Sequence, residues 1–138
     1  MRKRESTLRR GALLAIVAIA LLAVVLTGCG VGPASDEEKI SKTATTYLRA
    51  LADGDTANAC TQLTRRAKGE RCEQTIRERL SEFDPDSLKN AADASMDIDV
   101  EGDTATAGLS EPEGARFVLV KVGEEWRIDS GYTLGPVA

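Results

Sequence analysis

Ser95-Met96-Asp97-Ile98-Asp99-Val100-Glu101 is the stretch on which the fold turns. Met96, Ile98 and Val100 alternate with Asp97, Asp99 and Glu101, the two-residue period of a strand with one wet face. Before this stretch the apolar residues recur three and four apart, as in helices. After it they recur two apart. Glu101-Gly102-Asp103 reads as a tight turn into Thr104 to Leu109, where Ala105, Ala107 and Leu109 alternate with Thr104 and Thr106. A looser loop, Ser110 to Ala115, leads to Arg116 to Val122, and a second turn, Gly123-Glu124-Glu125, leads to Trp126 to Tyr132. The second half is predicted to be a four-stranded antiparallel meander.

Upstream, Ser35-Asp36-Glu37-Glu38 is a capping-box pattern that starts a helix, and Ile40, Ala44, Tyr47, Leu48 and Leu51 form its apolar face. Gly54 stops it. Asp55 caps a shorter helix carrying Ala59, Cys60 and Leu63, and after Lys68-Gly69 a third places Cys72, Ile76, Leu80 and Phe83 on one side. Asp84-Pro85 ends that helix. Asp86 to Asp93 reads as a polar connector with one helical turn around Leu88. Helices first and hairpins after predict an α+β domain, with N-terminal helices packed on one face of the four-stranded antiparallel sheet. The third strand differs from the others, because Phe117, Val118, Leu119 and Val120 are apolar on both faces. Such a strand is expected to be covered on both sides, by a ligand, a sister subunit or the curl of the sheet.

The chain has 138 residues, which allows one small domain and a tail. It contains no histidine, so Ser-His-Asp and Cys-His catalysis and imidazole metal sites are excluded. The net charge of −4 hides an asymmetry, since residues 1–28 carry +4 and the remainder −8. A body so acidic is not drawn to nucleic acid.

The basic start, Met1 to Arg10, precedes an uncharged run from Gly11 to Gly28 rich in Leu, Ile, Val and Ala. This is the layout of an export signal or anchor helix. At its end, Leu26-Thr27-Gly28-Cys29 resembles the lipobox of bacterial lipoproteins. The resemblance implies lipidation of the Cys29 thiol, cleavage before it, and residence on the extracytoplasmic face of a bacterial membrane. The domain plan is then 1–28 signal peptide, 29–34 lipidated tether and 35–138 folded domain. The alternative is an uncleaved anchor, since about 18 uncharged residues just span a bilayer. Arg9-Arg10 resembles a twin-arginine signal only in the pair itself, so the export route stays open.

Assigning Cys29 to lipid leaves Cys60 and Cys72, an even pair that oxidises outside the cytoplasm. A disulfide is expected. A metal or redox pair is disfavoured by the eleven intervening residues and by the absence of another thiol or imidazole nearby.

Leu51-Ala52-Asp53-Gly54-Asp55, Val100-Glu101-Gly102-Asp103-Thr104-Ala105 and Gly123-Glu124-Glu125-Trp126-Arg127-Ile128, in that order, resemble exported bacterial members of the nuclear transport factor 2-like superfamily. The resemblance covers Asp36 to Tyr132 and implies a sheet curled into a cone with an apolar mouth. That superfamily holds cyclases, dehydratases and isomerases, and many domains that only bind or dimerise. No position here matches its catalytic residues. Asp97, Asp99 and Asp129 fall on the polar side of their strands by alternation, facing water.

Tyr47, Leu51, Phe117, Trp126, Ile128 and Tyr132 are the candidate pocket lining, and ordinary core packing is the favoured reading of their aromatic rings. Asp97-Ile98-Asp99-Val100-Glu101-Gly102 matches a calcium loop poorly, because Gly108 stands where its bidentate acid belongs. Arg65-Arg66, Lys68 and Arg71 read as a solvated connection rather than an anion site. No cofactor or metal is expected. The expected role is non-catalytic binding of a small apolar ligand or an envelope protein, with a homodimer as a further option. The alternative is proton transfer on an apolar substrate with Tyr47 or Tyr132 as donor.

Overall fold

The computed structural model describes residues 32–133. The expected signal peptide and Cys29 lie outside the described residues. Among those described, the chain is an α+β domain with five helices packed on a four-stranded antiparallel sheet. No helix among them is long and apolar enough to cross a membrane.

Helix α1, Asp36–Ala52, begins where Ser35 Oγ accepts the Glu38 backbone N–H at 3.2 Å. Three acids in its first turn sit favourably at the positive end of the helix dipole. Its face of Ile40, Ala44, Tyr47, Leu48 and Leu51 is buried. Gly54, at φ 71°, turns the chain into α2, Thr56–Thr61, capped by Asp55. Leu63 was expected on this helix. It lies beyond it, and forms a parallel bridge with Ile128, with Thr64 N–H donating to Ile128 O at 2.8 Å. The segment Arg65–Lys68 forms a short helix, α3, under a Thr64 cap.

Helix α4, Cys72–Leu80, is joined to α2 by the Cys60–Cys72 disulfide, with Cα atoms 6.1 Å apart. The next segment corrects the sequence reading. Pro85–Asp93 is a helix of nine residues, α5, and no mere connector. Asp84 caps it through Ser87 N–H, Pro85 occupies the first turn, where a missing N–H costs nothing, and Leu88, Ala91 and Ala92 are buried.

The sheet runs β1, Met96–Glu101; β2, Thr104–Leu109; β3, Arg116–Val122; β4, Glu125–Gly131, paired in chain order. Ala105, Ala107, Leu109, Phe117, Leu119, Trp126 and Ile128 point into the core shared with α1 and α5. Between Ile128 and Ser130 the β3–β4 register slips at a bulge, leaving Asp129 as the extra residue. The opposite face is more open than the all-apolar third strand suggested. Val118 and Val120 are half-buried there and Val122 is 56% exposed. Their neighbours on the adjacent strands are Thr106, Thr104 and Arg127, whose aliphatic parts give partial cover.

Candidate functional site

The six candidate pocket residues do not share one open space. Phe117 and Ile128 are fully buried, and Trp126 is 1% exposed. Tyr47 meets Phe117 edge-on at 5.7 Å between ring centres, and Tyr132, half-buried, meets both Phe117 and Phe83 edge-on. Trp126 lies elsewhere. Its indole N–H donates to Asp36 Oδ1 at 2.9 Å, while Lys121 Nζ sits 3.1 Å from the same oxygen and 5.7 Å from the indole ring centre. Both donors hold the Asp36 carboxyl below its ordinary pKa.

Tyr47 and Leu51 alone of the six border a cleft between α1 and α4. Ile76, Arg79 and Leu80 of α4 form its other wall, and Phe83 and Thr133 its ends. The void measures about 10 Å³, the smallest space that admits one water. Its polar groups are the Tyr47 and Thr133 hydroxyls and the Arg79 guanidinium. Burial raises the Tyr47 pKa, so the phenol stays protonated. Thr133 Oγ1 lies 3.1 Å from the Tyr47 oxygen, and the Arg79 Nε–H is buried with no acceptor. Thr133 has φ 74°, a left-handed conformation rare for a β-branched residue, and is 9% exposed. Neither Arg79 nor Thr133 was a sequence candidate. Arg79 was marked only by its place between Ile76 and Leu80 at the border of the apolar face, and Thr133 by nothing.

A second, shallow depression of about 440 Å³ lies at the Ser95 end of the sheet. The pairings Asp97 with Gly108 and Gly108 with Arg116 set an acid and a base on either side of a residue without a side chain.

Asp97 and Asp99 are exposed, as alternation requires. Asp129 corrects the expectation, because it does not simply face water. Arg66 forms an ion pair with it, and Thr64 Oγ1 donates to its Oδ1 at 2.7 Å, so its pKa is lowered. Part of the basic segment read as solvated is therefore tied to β4 by the bulge that exposes Asp129 to it. Among the described residues no group of three His, Cys, Asp or Glu side chains is placed to hold a metal ion.

No protein-family model, curated protein or solved structure matches this chain.

Proposed function

We propose that this chain is a lipid-anchored lipoprotein of the extracytoplasmic face of a bacterial membrane, and that its folded part is a cone-like, nuclear transport factor 2-like domain that binds without doing chemistry. Leu26-Thr27-Gly28-Cys29 supports the anchor. The Cys60–Cys72 disulfide supports export, because such bonds persist in oxidising compartments.

The cleft between α1 and α4 carries the binding reading. It joins apolar walls, Leu51, Ile76, Leu80 and Phe83, to buried donors, and no carboxylate lines it. Proton abstraction from a substrate needs a base within reach, and a protonated Tyr47 is an acid. The void as it stands admits one water, so the occupant in this reading, a small and mostly apolar molecule, has to part the half-buried Leu80 and Phe83 to enter. Native against denaturing mass spectrometry of residues 30–138, secreted by the host, tests it. The expected result is a co-purifying mass lost on denaturation. A bare protein in both spectra counts against a small ligand.

A second reading rests on Val118, Val120 and Val122, which leave an apolar stripe on the outer face of the sheet. There the partner is an envelope protein or a second copy. Sedimentation as a monomer at high concentration counts against the dimer.

A further inference from the structure

Asp97, Gly108 and Arg116 stand side by side on β1, β2 and β3, because the register pairs Asp97 with Gly108 and Gly108 with Arg116. All three line the depression of about 440 Å³ at the Ser95 end of the sheet, a volume in the range of small-ligand sites. Among the described residues no ion pair joins this acid to this base. Two strand spacings set their Cα atoms about 10 Å apart, with only Gly108 between them.

Glycine weakens the interior of a strand, and there it often marks a place where a ligand or another backbone comes close. Nothing in β2 demands it. Gly108 is not among the glycines with positive φ, and a Cβ on it would meet only the Asp97 carbonyl, at an ordinary 3.7 Å. Neither backbone conformation nor packing within the chain accounts for the missing side chain. Its effect is to leave the floor of the depression open between two opposite charges. Ser95 and Ser110 take the same face one row further out, with their Oγ atoms 3.3 Å apart. Their hydroxyls both give and accept hydrogen bonds, which suits a peptide group as well as a charge.

We propose that this depression binds a small zwitterion whose ammonium and carboxylate lie a few ångströms apart, as in amino acids and short peptides. The ammonium meets Asp97, the carboxylate meets the Arg116 guanidinium, and the body of the ligand crosses Gly108. A charged hydrogen bond of about 2.8 Å at each end leaves about 4 Å of the span for the ligand's own charge separation. The concavity is already formed, so no helix or strand has to move. This site goes beyond the α1–α4 cleft and does not depend on it.

The test follows the backbone amides of the isotope-labelled full chain by NMR, in nonionic detergent micelles at low ionic strength. The probes are glycine, glycylglycine, N-acetylglycylglycine, which lacks the ammonium, and glycylglycinamide, which lacks the carboxylate. Zwitterions are expected to shift the Gly108 amide and its neighbours. Each blocked form is expected to bind about threefold or more weakly, the size of a partly screened ion pair. The tighter of glycine and glycylglycine assigns an amino acid or a peptide. Asp97→Asn is expected to remove the preference over the acetylated form and keep that over the amide, and Arg116→Gln to do the reverse. Gly108→Val, which suits a strand, is expected to keep or raise the thermal midpoint and abolish binding. Equal affinity for the zwitterion and either blocked form overturns the proposal. So do shifts that persist in Gly108→Val, or their absence around Gly108 at millimolar ligand, and each of these results leaves the cleft reading standing.

Discussion

Trp126 Nε1 donates to Asp36 Oδ1 at 2.9 Å, joining the first residue of α1 to the start of β4 across 90 residues of sequence. The indole buries its ring in the core and still satisfies its one donor, because α1 begins where that donor emerges. Lys121 reaches the same carboxylate, so one charge organises a strand pair and a helix start.

That arrangement makes stability acid-sensitive in a defined direction. Asp36 and Asp129 both have folded pKa values below the ordinary 3.8. A depressed carboxylate pKa contributes stability that is complete above the unfolded value and is lost as pH falls through the folded one. Thermal midpoints should therefore hold from pH 7 to about 5 and fall below about 4. Asp36→Asn should flatten that fall while lowering the midpoint at neutral pH. An unchanged acid slope in the variant would show that Asp36 is not one of the groups responsible.

Reduction of Cys60–Cys72 should cost about 2–3 kcal/mol by loop-closure entropy for a bridge spanning 12 positions. For a domain of this size the midpoint falls by about 10–20 °C. Scanning calorimetry with and without reductant measures it. The loss should be accompanied by weaker packing of α4, which buries little else.

Gly131 and Gly108 make a matched pair. Gly131 has φ 130°, and a Cβ there would lie 2.8 Å from Phe117 Cα and closer still to the Arg116 carbonyl. Gly131→Ala should cost about 3 kcal/mol or more, since a strained backbone and a steric clash on β3 add. At Gly108 a Cβ meets only the Asp97 carbonyl at 3.7 Å, an ordinary contact. Gly108→Ala should change stability by about 0.5 kcal/mol or less. Urea unfolding of both variants tests the contrast, and equal losses would refute it.

Cys29→Ser should release the chain from the membrane fraction or leave it held by an uncleaved signal. Mass spectrometry separates the two: the wild-type protein should begin at Cys29 with added acyl mass, and the variant should carry none. A wild-type chain that keeps residues 1–28 would favour the plain anchor.

How far the fold could be read from the sequence varies with the kind of signal. Ser35 and Asp55 cap the helices they were expected to cap, since a cap is a local hydrogen bond between near neighbours. The four strands follow the alternation that begins at Met96. Helix α5 escaped because Pro85, Asp86, Ser87, Lys89 and Asn90 make its composition polar, while its buried face is narrow: Leu88, Ala91 and Ala92. The pairing of Asp129 with Arg66 escaped because alternation predicts which face a strand residue takes, and a bulge breaks alternation.

By itself the sequence determined that helices precede a four-strand meander, the half-wet first strand and the two cysteines available for pairing. These depend on periodicity and on neighbours a few residues apart. Only the tertiary structure decided that Tyr47, Phe117 and Trp126 fill the interior, that the third strand keeps a valine stripe half-open, and that Tyr47, Arg79 and Thr133 meet around one small void. Those residues are 32 and 54 positions apart along the chain. No local rule links them, because their meeting depends on how α4 lies across α1, and that is set by packing.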